Sequence, residues 1–291
     1  MKIVHLCLSG PYNDNWGYQE NIIPKYNRKD GHDVTVITSV FINSKKYVGY
    51  EKVNPGEYLL KDGVKIIRIP FKKNRLKIIS EKLRMYEGVY KALKKEKPDF
   101  IFMHGLQFWD IKKVIKYIKE HPECKLVADN HATYDNSAKN FFSKHILHKI
   151  IWRFNIKKSL KYINKIFVLA PGCRKFAKEM YDIPDEKMEY LFLGADTDKI
   201  DFEHKEELKK EIRRRLNINE SDFVLITGGK LSKGKNINLL LEAFKDINQQ
   251  NLKLIIFGAF SDDIKQKSLE KIKYDNRVIY IGWLKGEEVY K

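Results

Sequence analysis

The chain has 291 residues, of which 43% are hydrophobic and 32% are charged, and its formal net charge is +18 at pH 7. These values predict a globular protein with two ordinary domain cores, and they exclude a membrane-spanning helix or a signal peptide, because no apolar run is long enough for the first and the N-terminal run is too strand-like for the second. Cys7, Cys124 and Cys173 lack the spacing of metal ligands or redox pairs, so they are expected to be free thiols in a reducing cytoplasm.

Strand-like apolar runs alternate with helix-like segments, which predicts βαβ units around parallel sheets. A loop containing Gly17 follows the first strand, and His104 and His131 end the third and fourth. Ligands of such sheets bind at the carboxyl ends of the strands, so these positions are candidates for a site. The strands predicted for the first part of the chain are 1–8, 31–38, 98–104, 126–131, 166–170 and 187–193.

Residues 223–244 contain the most informative pattern. A strand at 223–227 is predicted to end at a glycine pair, followed by Lys230 and Lys235 in a short polar loop and by a helix that begins near Asn236. The first N–H groups and the dipole of a helix attract anions, and the lysines add full positive charge. The pattern therefore predicts a site for a phosphate-bearing ligand. Further strands are expected at 253–258 and 278–282.

Other interpretations of this segment remain open. The run from Gly229 to Asn236 is one residue short of a P-loop, which requires Ser or Thr where Asn236 stands. The next strand ends in Gly258 rather than in the Asp that a nucleotide hydrolase needs. A solvated lysine loop without function is the structural alternative. A dinucleotide-binding dehydrogenase is disfavoured because no Gly-x-Gly-x-x-Gly follows any predicted strand.

The order of these segments resembles glycosyltransferase family 4, whose members are retaining enzymes of the GT-B fold. The run Gly229-Lys230-Leu231, then Lys235 and a leucine-rich helix, resembles the donor-phosphate loop of that family, with Lys230 in place of Arg and Asn236 in place of Gly. The resemblance implies an α/β fold of GT-B type, in which two Rossmann-like parallel-sheet domains face a cleft. Their expected extents are 1–195 and 196–291, the second domain being incomplete.

The resemblance also implies a function, namely transfer of a sugar from a nucleoside diphosphate sugar to a glycan or lipid-linked acceptor with retention. Lys230 and Lys235 would stabilise the departing diphosphate, and His131 would approach the donor sugar. Gly17 and Gly229 would let the backbone approach the diphosphate closely.

Further expectations concern the remaining cleft positions and metals. Gly258 would lie beneath the nucleotide base, and His104 would shape the acceptor side. Cations can replace a divalent metal in this role, so no metal and no cofactor are expected. The segment Asp196-Thr197-Asp198 fits the Asp-x-Asp metal motif of another glycosyltransferase fold, but its position indicates a linker.

Nearly all of the excess positive charge lies in residues 1–195. The stretches 72–97 and 136–178 combine lysines and arginines with apolar residues at helical spacing, which predicts contact with an anionic membrane surface and a peripheral location on the inner face of the membrane. In the alternative, the apolar faces pack on the sheet and the lysines are only hydrated. Nucleic acid is not expected, because no reading helix or aromatic stacking platform is present.

The chain stops at Lys291, soon after the last predicted strand. Members of the family continue with a segment that contains paired glutamates, one of which binds the nucleotide ribose. The sequence is therefore expected to be a fragment or an inactive chain, and a non-catalytic nucleotide-sugar-binding protein remains an alternative. An incomplete second sheet is expected to expose apolar surface and to favour association.

Overall fold

The computed structural model describes residues 1–44, 49–73, 77–284 and 286–290. The chain divides into two compact units, Met1–Ala195 and Asp196–Lys291. Both contain largely parallel sheets with connecting helices, so the predicted α/β fold class is confirmed. Within the described ranges, no helix combines the length and the apolar character that a bilayer crossing requires.

The first unit is built from strands and helices in alternation. Its strands are β1 Lys2–Cys7, β2 Asp33–Ser39, β3 Phe41–Asn43, β4 Tyr50–Lys52, β5 Gly56–Leu59, β6 Lys65–Ile69, β7 Phe100–Met103, β8 Lys125–Asn130, β9 Lys165–Val168 and β10 Met188–Tyr190. Its helices are α1 Gln19–Lys29, α2 Lys77–Lys82, α3 Val89–Glu96, α4 Ile111–Glu120, α5 Arg153–Ser159 and α6 Pro171–Tyr181. A π-helix, Phe142–Trp152, leads directly into α5.

Most of these strands form one sheet in the order β10-β9-β8-β7-β1-β2-β6-β5. Its neighbouring strands are parallel except β5 and β6, while β3 and β4 form a separate antiparallel pair. The central strands are almost wholly buried, which explains why they appear as continuous apolar runs in the sequence. The strand order reverses between β1 and β7. Ligands of such sheets bind beyond the carboxyl ends of the strands at that reversal.

Strands β3 to β6 have no counterpart among the predicted strands. β5 is exposed along its whole length, so its sequence lacks an apolar run. The apolar run of β6 is interrupted by Arg68, which is buried because its guanidinium binds Asp14 Oδ1 at 2.8 Å.

The basic stretch 72–97 does not form a continuous amphipathic helix. It contains the short helix α2, an irregular link and then α3. Tyr86 and Leu93 are fully buried in the core, so the structural alternative is correct for most of this stretch. Ile79 is partly exposed, and Leu76 lies outside the described residues.

The apolar face predicted within 136–178 is also divided in the structure. Leu147 and Ile151 pack against the core, whereas Ile150 and Phe154 are exposed. The prediction assumed α-helical spacing, but hydrogen bonds in a π-helix span five residues, so residues three apart, such as Leu147 and Ile150, no longer share one face.

The second unit contains a parallel sheet in the order β11-β12-β13. Its strands are β11 Phe223–Leu231, β12 Leu252–Phe260 and β13 Val278–Gly282, and its helices are α7 Lys205–Arg215, α8 Ile237–Lys245, α9 Asp262–Lys273 and α10 Gly286–Val289. The core lies where α8 and α9 pack on β12, with Phe244, Leu254 and Ile256 fully or almost fully buried.

Candidate functional site

The glycine pair of the second unit lies inside β11 and not at its end, so the predicted strand end at Gly228 is wrong. β11 continues to Leu231 because the strands approach closely at glycines. Gly229 is the register partner of Gly258 in β12, and their φ angles are +105° and +116°. A Cβ on Gly258 would lie 1.9 Å from the Gly229 carbonyl oxygen. Neither position tolerates a side chain without strain.

Three lysines surround the link between β11 and α8. Lys230 is the next-to-last residue of β11, where it is the register partner of Ala259 in β12. Lys233 and Lys235 belong to a short 3₁₀ helix, Lys233–Lys235. All three side chains are exposed, and no acidic group of the described residues forms an ion pair with them. Asn236 precedes α8 with φ +56°, a left-handed conformation that asparagine tolerates. This arrangement can bind an anion through lysine charge and the N–H groups of the helix start.

The P-loop interpretation is not supported by the geometry. A P-loop wraps phosphates with a glycine-rich loop that follows a strand. Here Gly229, Lys230 and Leu231 are still paired with β12, so the backbone that would wrap the phosphate is part of the sheet.

The first unit places a chain of polar side chains beneath the carboxyl ends of its central strands. His5 lies in the middle of β1 and is fully buried. Its Nδ1 lies 3.0 Å from His104 Nε2, and its Nε2 lies 3.0 Å from Asn27 Oδ1 in α1. His104 Nδ1 in turn lies 2.9 Å from Asp129 Oδ2. The chain therefore connects a helix with three strands or strand ends.

His131 stands at the exposed end of this chain. Its Nε2 lies 3.2 Å from Asp129 Oδ1, and its side chain is 42% exposed whereas Asp129 is fully buried. The backbone of the turn is fixed because Asn136 Nδ2 donates a hydrogen bond of 2.8 Å to the His131 carbonyl oxygen. A second donor to Asp129 Oδ1 is the Gly105 N–H, at 2.7 Å.

Burial and charge act in opposite directions on the pKa values of Asp129 and His131. Burial alone would raise the pKa of Asp129, but the charge and hydrogen bond of His104 and the hydrogen bond of His131 hold it well below its usual range. Burial alone would lower the pKa of His131, but the hydrogen bond and charge of Asp129, with the charge of Glu20, raise it. Burial and the charge of His104 lower the pKa of His5 to about 3.

The predicted site residues fall into two groups. Gly229, Gly258, Lys230 and Lys235 meet at the carboxyl end of the second unit's sheet. His131 follows β8 directly, at the carboxyl end of the first unit's sheet.

Gly17 and His104 occupy the same end of the first unit's sheet as His131. Gly17 is exposed in the loop between β1 and α1. His104 is buried beneath this edge, where its ring contacts His5 and Asp129.

Sequence reasoning missed Lys233, His5 and Asp129. Lys233 sits between the two predicted lysines, so it was available from the same pattern. His5 and Asp129 are polar residues inside otherwise apolar strands, and Asp129 precedes His131 by two positions. Alternate residues of a strand share a face. A polar side chain in a buried strand needs a partner, and that requirement was the available signal.

The Asp-x-Asp segment lies at the start of the second unit. Asp196 is buried and pairs with Lys199, Nζ to Oδ2 at 3.5 Å, at the start of a 3₁₀ turn. In the described part of the chain, no three His, Cys, Asp or Glu side chains are grouped so that they could hold a metal ion.

Two family profiles match the chain. The profile described as Glycosyltransferase Family 4 matches residues 25–199, which is more than half of the chain. The profile described as Glycosyl transferases group 1 matches residues 209–291. The two matches together include every predicted site residue except Gly17.

Two curated relatives share part of the sequence. A lipopolysaccharide 1,2-N-acetylglucosaminetransferase of Salmonella typhimurium is 35% identical over 78 residues, which is 26% of this chain and 20% of the relative. An uncharacterized glycosyltransferase of Methanocaldococcus jannaschii is 22% identical over 132 residues, which is 44% of this chain and 33% of the relative. The matches thus span a fifth to a third of these relatives.

A solved structure, Anabaena HepE in complex with UDP, resembles the chain with a TM-score of 0.58 at 14% identity. The likeness covers 99% of this chain and 70% of the other. At this identity it shows a common fold.

Proposed function

Because the chain belongs to glycosyltransferase family 4, we propose that it transfers a sugar from a nucleoside diphosphate sugar to an acceptor. The expected GT-B fold class is confirmed by the family and by the fold likeness. The observation that supports the activity most directly is the set of three exposed lysines before α8, none of which pairs with an acidic group of the described residues. We propose that this lysine loop, Lys230 to Lys235, binds the diphosphate of the donor.

In the proposed reaction, negative charge develops on the departing diphosphate, which the lysine loop is proposed to bind. The bond between the anomeric carbon and the diphosphate oxygen breaks, and its electron pair stays on that oxygen. An acceptor hydroxyl oxygen forms a new bond to the carbon, and its proton passes to the departing diphosphate. Lys230, Lys235 and the N–H groups at the start of α8 stabilise the charge that develops on the leaving group. These cations supply what a metal ion would otherwise supply, so no metal is needed.

In the first unit, His131 is proposed to bind the donor sugar, and Gly17 to let the β1–α1 loop approach the diphosphate. Gly229 and Gly258 would serve the second unit by keeping the end of its sheet free of side chains near the nucleotide. Retention of the anomeric configuration is proposed from the family. His104 is proposed to shape the acceptor side of the site from its buried position beneath the surface.

The acceptor is proposed to be a glycan or a lipid-linked glycan. The relative from Salmonella is named for its action on lipopolysaccharide, which is a lipid-linked glycan. HepE is described with UDP bound, so a uridine nucleotide is the first donor base to test. We propose that the reaction occurs in the cytoplasm, at the inner face of a membrane.

Membrane contact is proposed for one surface only, the aromatic patch of Phe141, Phe142, Ile150 and Phe154. Each of these side chains is more than half exposed. Lys144 and Lys149 lie on the same π-helix, and no acidic residue occurs between 136 and 178. Exposed apolar rings surrounded by lysines favour an anionic lipid surface, where each nearby cation contributes about 1 kcal/mol.

A transfer assay tests the proposed function. The chain is incubated with UDP-glucose, UDP-N-acetylglucosamine or GDP-mannose and with free or lipid-linked glycans, and the release of nucleoside diphosphate is measured. Acceptor-dependent release that persists in EDTA supports the proposal. Binding of these donors without release selects the non-catalytic alternative, and failure to bind any of them contradicts both.

A further inference from the structure

The buried chain Asn27–His5–His104–Asp129 ends on the Nε2 edge of His131. Its three links, Asn27–His5, His5–His104 and His104–Asp129, join different secondary structure elements, so the fold itself fixes their spacing. Met103 is the register partner of Ala128 in β8, which places the next residues, His104 and Asp129, side by side. Main-chain pairing therefore sets the contact between a histidine and a carboxylate.

Hydrogen-bond logic assigns the protons along this chain. With Asn27 Oδ1 facing His5, the His5 Nε2 must donate, because a carbonyl oxygen only accepts. His5 stays neutral above pH 3, so its Nδ1 accepts a hydrogen bond from His104 Nε2. The Asp129 carboxylate also only accepts, so His104 donates from Nδ1 as well. His104 is therefore assigned as the donor to His5 from Nε2 and to Asp129 from Nδ1.

Asp129 is consequently held in place by groups other than His131. One carboxylate oxygen accepts from His104, and the other accepts from the Gly105 N–H and faces His131 Nε2. A fully buried carboxylate with these partners has little freedom to turn. No hydrogen bond to His131 Nδ1 occurs among the described residues, so this nitrogen is available to a ligand.

We propose that Asp129 is a positioning residue for His131, holding its Nε2 so that Nδ1 donates a hydrogen bond to an oxygen of the nucleoside diphosphate sugar. The inference rests on the proposed function and adds which nitrogen acts and in which charge state. His131 then serves as a cationic donor, because the carboxylate favours the doubly protonated ring. A general base, by contrast, would need a neutral ring with a free nitrogen.

The charged and titratable groups that face His131 come from several elements. Asp129 belongs to β8, His104 lies behind it at the end of β7, and Glu20 belongs to α1. Asp129 is the nearest carboxylate to the ring, so its removal is the sharpest change. Asp129→Asn keeps the size of the side chain and removes its charge.

The positioning role is tested without any substrate by nitrogen NMR of the His131 ring in the full chain. We expect the neutral ring to carry its proton on Nε2 and the titration midpoint to lie above the ordinary histidine value of about 6.5. In Asp129→Asn the midpoint falls, while in the exposed control Glu123→Gln it stays. A neutral ring protonated on Nδ1, or a midpoint that ignores Asp129→Asn, would overturn the inference.

The role in the reaction is tested by the pH dependence of kcat/KM with the donor identified in the transfer assay. A cationic donor predicts that kcat/KM falls as the pH rises through the His131 midpoint, and that Asp129→Asn moves this fall to lower pH. A rise of kcat/KM over the same range would assign His131 as a general base and overturn the inference. If the chain binds no donor, the proposed function fails, while the NMR result still decides the positioning role in the wild-type protein.

Discussion

Gly229 of β11 lies opposite Gly258 of β12, and a Cβ on Gly258 would come within 1.9 Å of the Gly229 carbonyl oxygen. The two strands can continue side by side at this distance only because Gly258 lacks a side chain, whereas a Cβ on Gly229 would meet nothing within 4 Å and is opposed by its positive φ alone. This close approach carries β11 on to Lys230 and Leu231 and so determines where the lysine loop begins. The glycine thus allows the strands of the sheet to pack closely, and through the length of β11 it also affects the position of the anion site.

Gly258→Ala should therefore destabilise the second unit severely. Both the positive φ and the overlap with Gly229 oppose the substitution, so we expect a loss of at least about 3 kcal/mol in the free energy of unfolding. Gly234→Ala is the matched control, because a Cβ there meets nothing within 4 Å. Urea unfolding of the two variants provides the comparison, and equal midpoints would show that the strands are not so close.

His5 should make the protein sensitive to acid. In the unfolded chain His5 takes up a proton below about pH 6.5, whereas in the folded chain its pKa is about 3. The unfolded state binds more protons between these values, so stability rises with pH in this window. The contribution is complete above about pH 6.5 and is lost as the pH falls towards 3. His148, whose pKa burial lowers to about 4, adds to the same effect.

The measurement is the slope of the unfolding free energy against pH between about pH 6 and pH 4. We expect His5→Asn to reduce this slope even if the variant is less stable throughout. His32→Asn, at a partly exposed position, is the control and should leave the slope unchanged. A slope in His5→Asn equal to that of the wild type would contradict a neutral, buried His5.

The aromatic patch should attach the protein to anionic vesicles. Phe142→Ser with Phe154→Ser removes two exposed rings. Because each buried ring contributes about 1.5–3 kcal/mol, we expect binding to vesicles of phosphatidylglycerol and phosphatidylcholine to weaken by at least about 100-fold. Flotation measures the bound fraction. Tyr274→Ser, also highly exposed, and Ile78→Ser in α2 are controls expected to have no effect. An equal loss of vesicle binding in the Ile78 variant would show that the stretch 72–97 also contacts the membrane.

His131→Gln should lower kcat and leave donor binding nearly intact. Loss of one hydrogen-bond donor that acts in the transition state costs on the order of 100-fold in kcat. His145→Gln, another histidine of the first unit, is the control. If His131→Gln weakened binding of the nucleoside diphosphate sugar as much as it lowered kcat, the residue would bind the ground state and transition state alike.

The sequence predicted the buried parallel strands well, since β7 is a continuous apolar run and the apolar run of β1 is interrupted only by His5. It could not predict β5, whose exposed residues depend on pairing with β6. It placed the strand end at Gly228 because glycine usually interrupts strands, and the opposing Gly258 is visible only in three dimensions.

The lysine loop was predicted from local spacing alone, whereas the His5–His104–Asp129 chain was not predicted. Its members are up to 124 positions apart in the sequence, as the positions of His5 and Asp129 show, and strand register brings them together. Local patterns contain no information on that register. The buried histidine in β1 was nevertheless an available signal.

The direct test of the lysine loop is calorimetric titration of UDP and of inorganic pyrophosphate into the full chain and into Lys230→Gln/Lys235→Gln. Lys265→Gln/Lys273→Gln removes the same charge from exposed positions of α9 and is the control. We expect the loop variant to bind both ligands at least about tenfold more weakly, because it loses charged hydrogen bonds, and the control to bind them as the wild type does. Unchanged affinity in the loop variant, or an equal loss in the control, would show that the lysine loop does not bind the diphosphate.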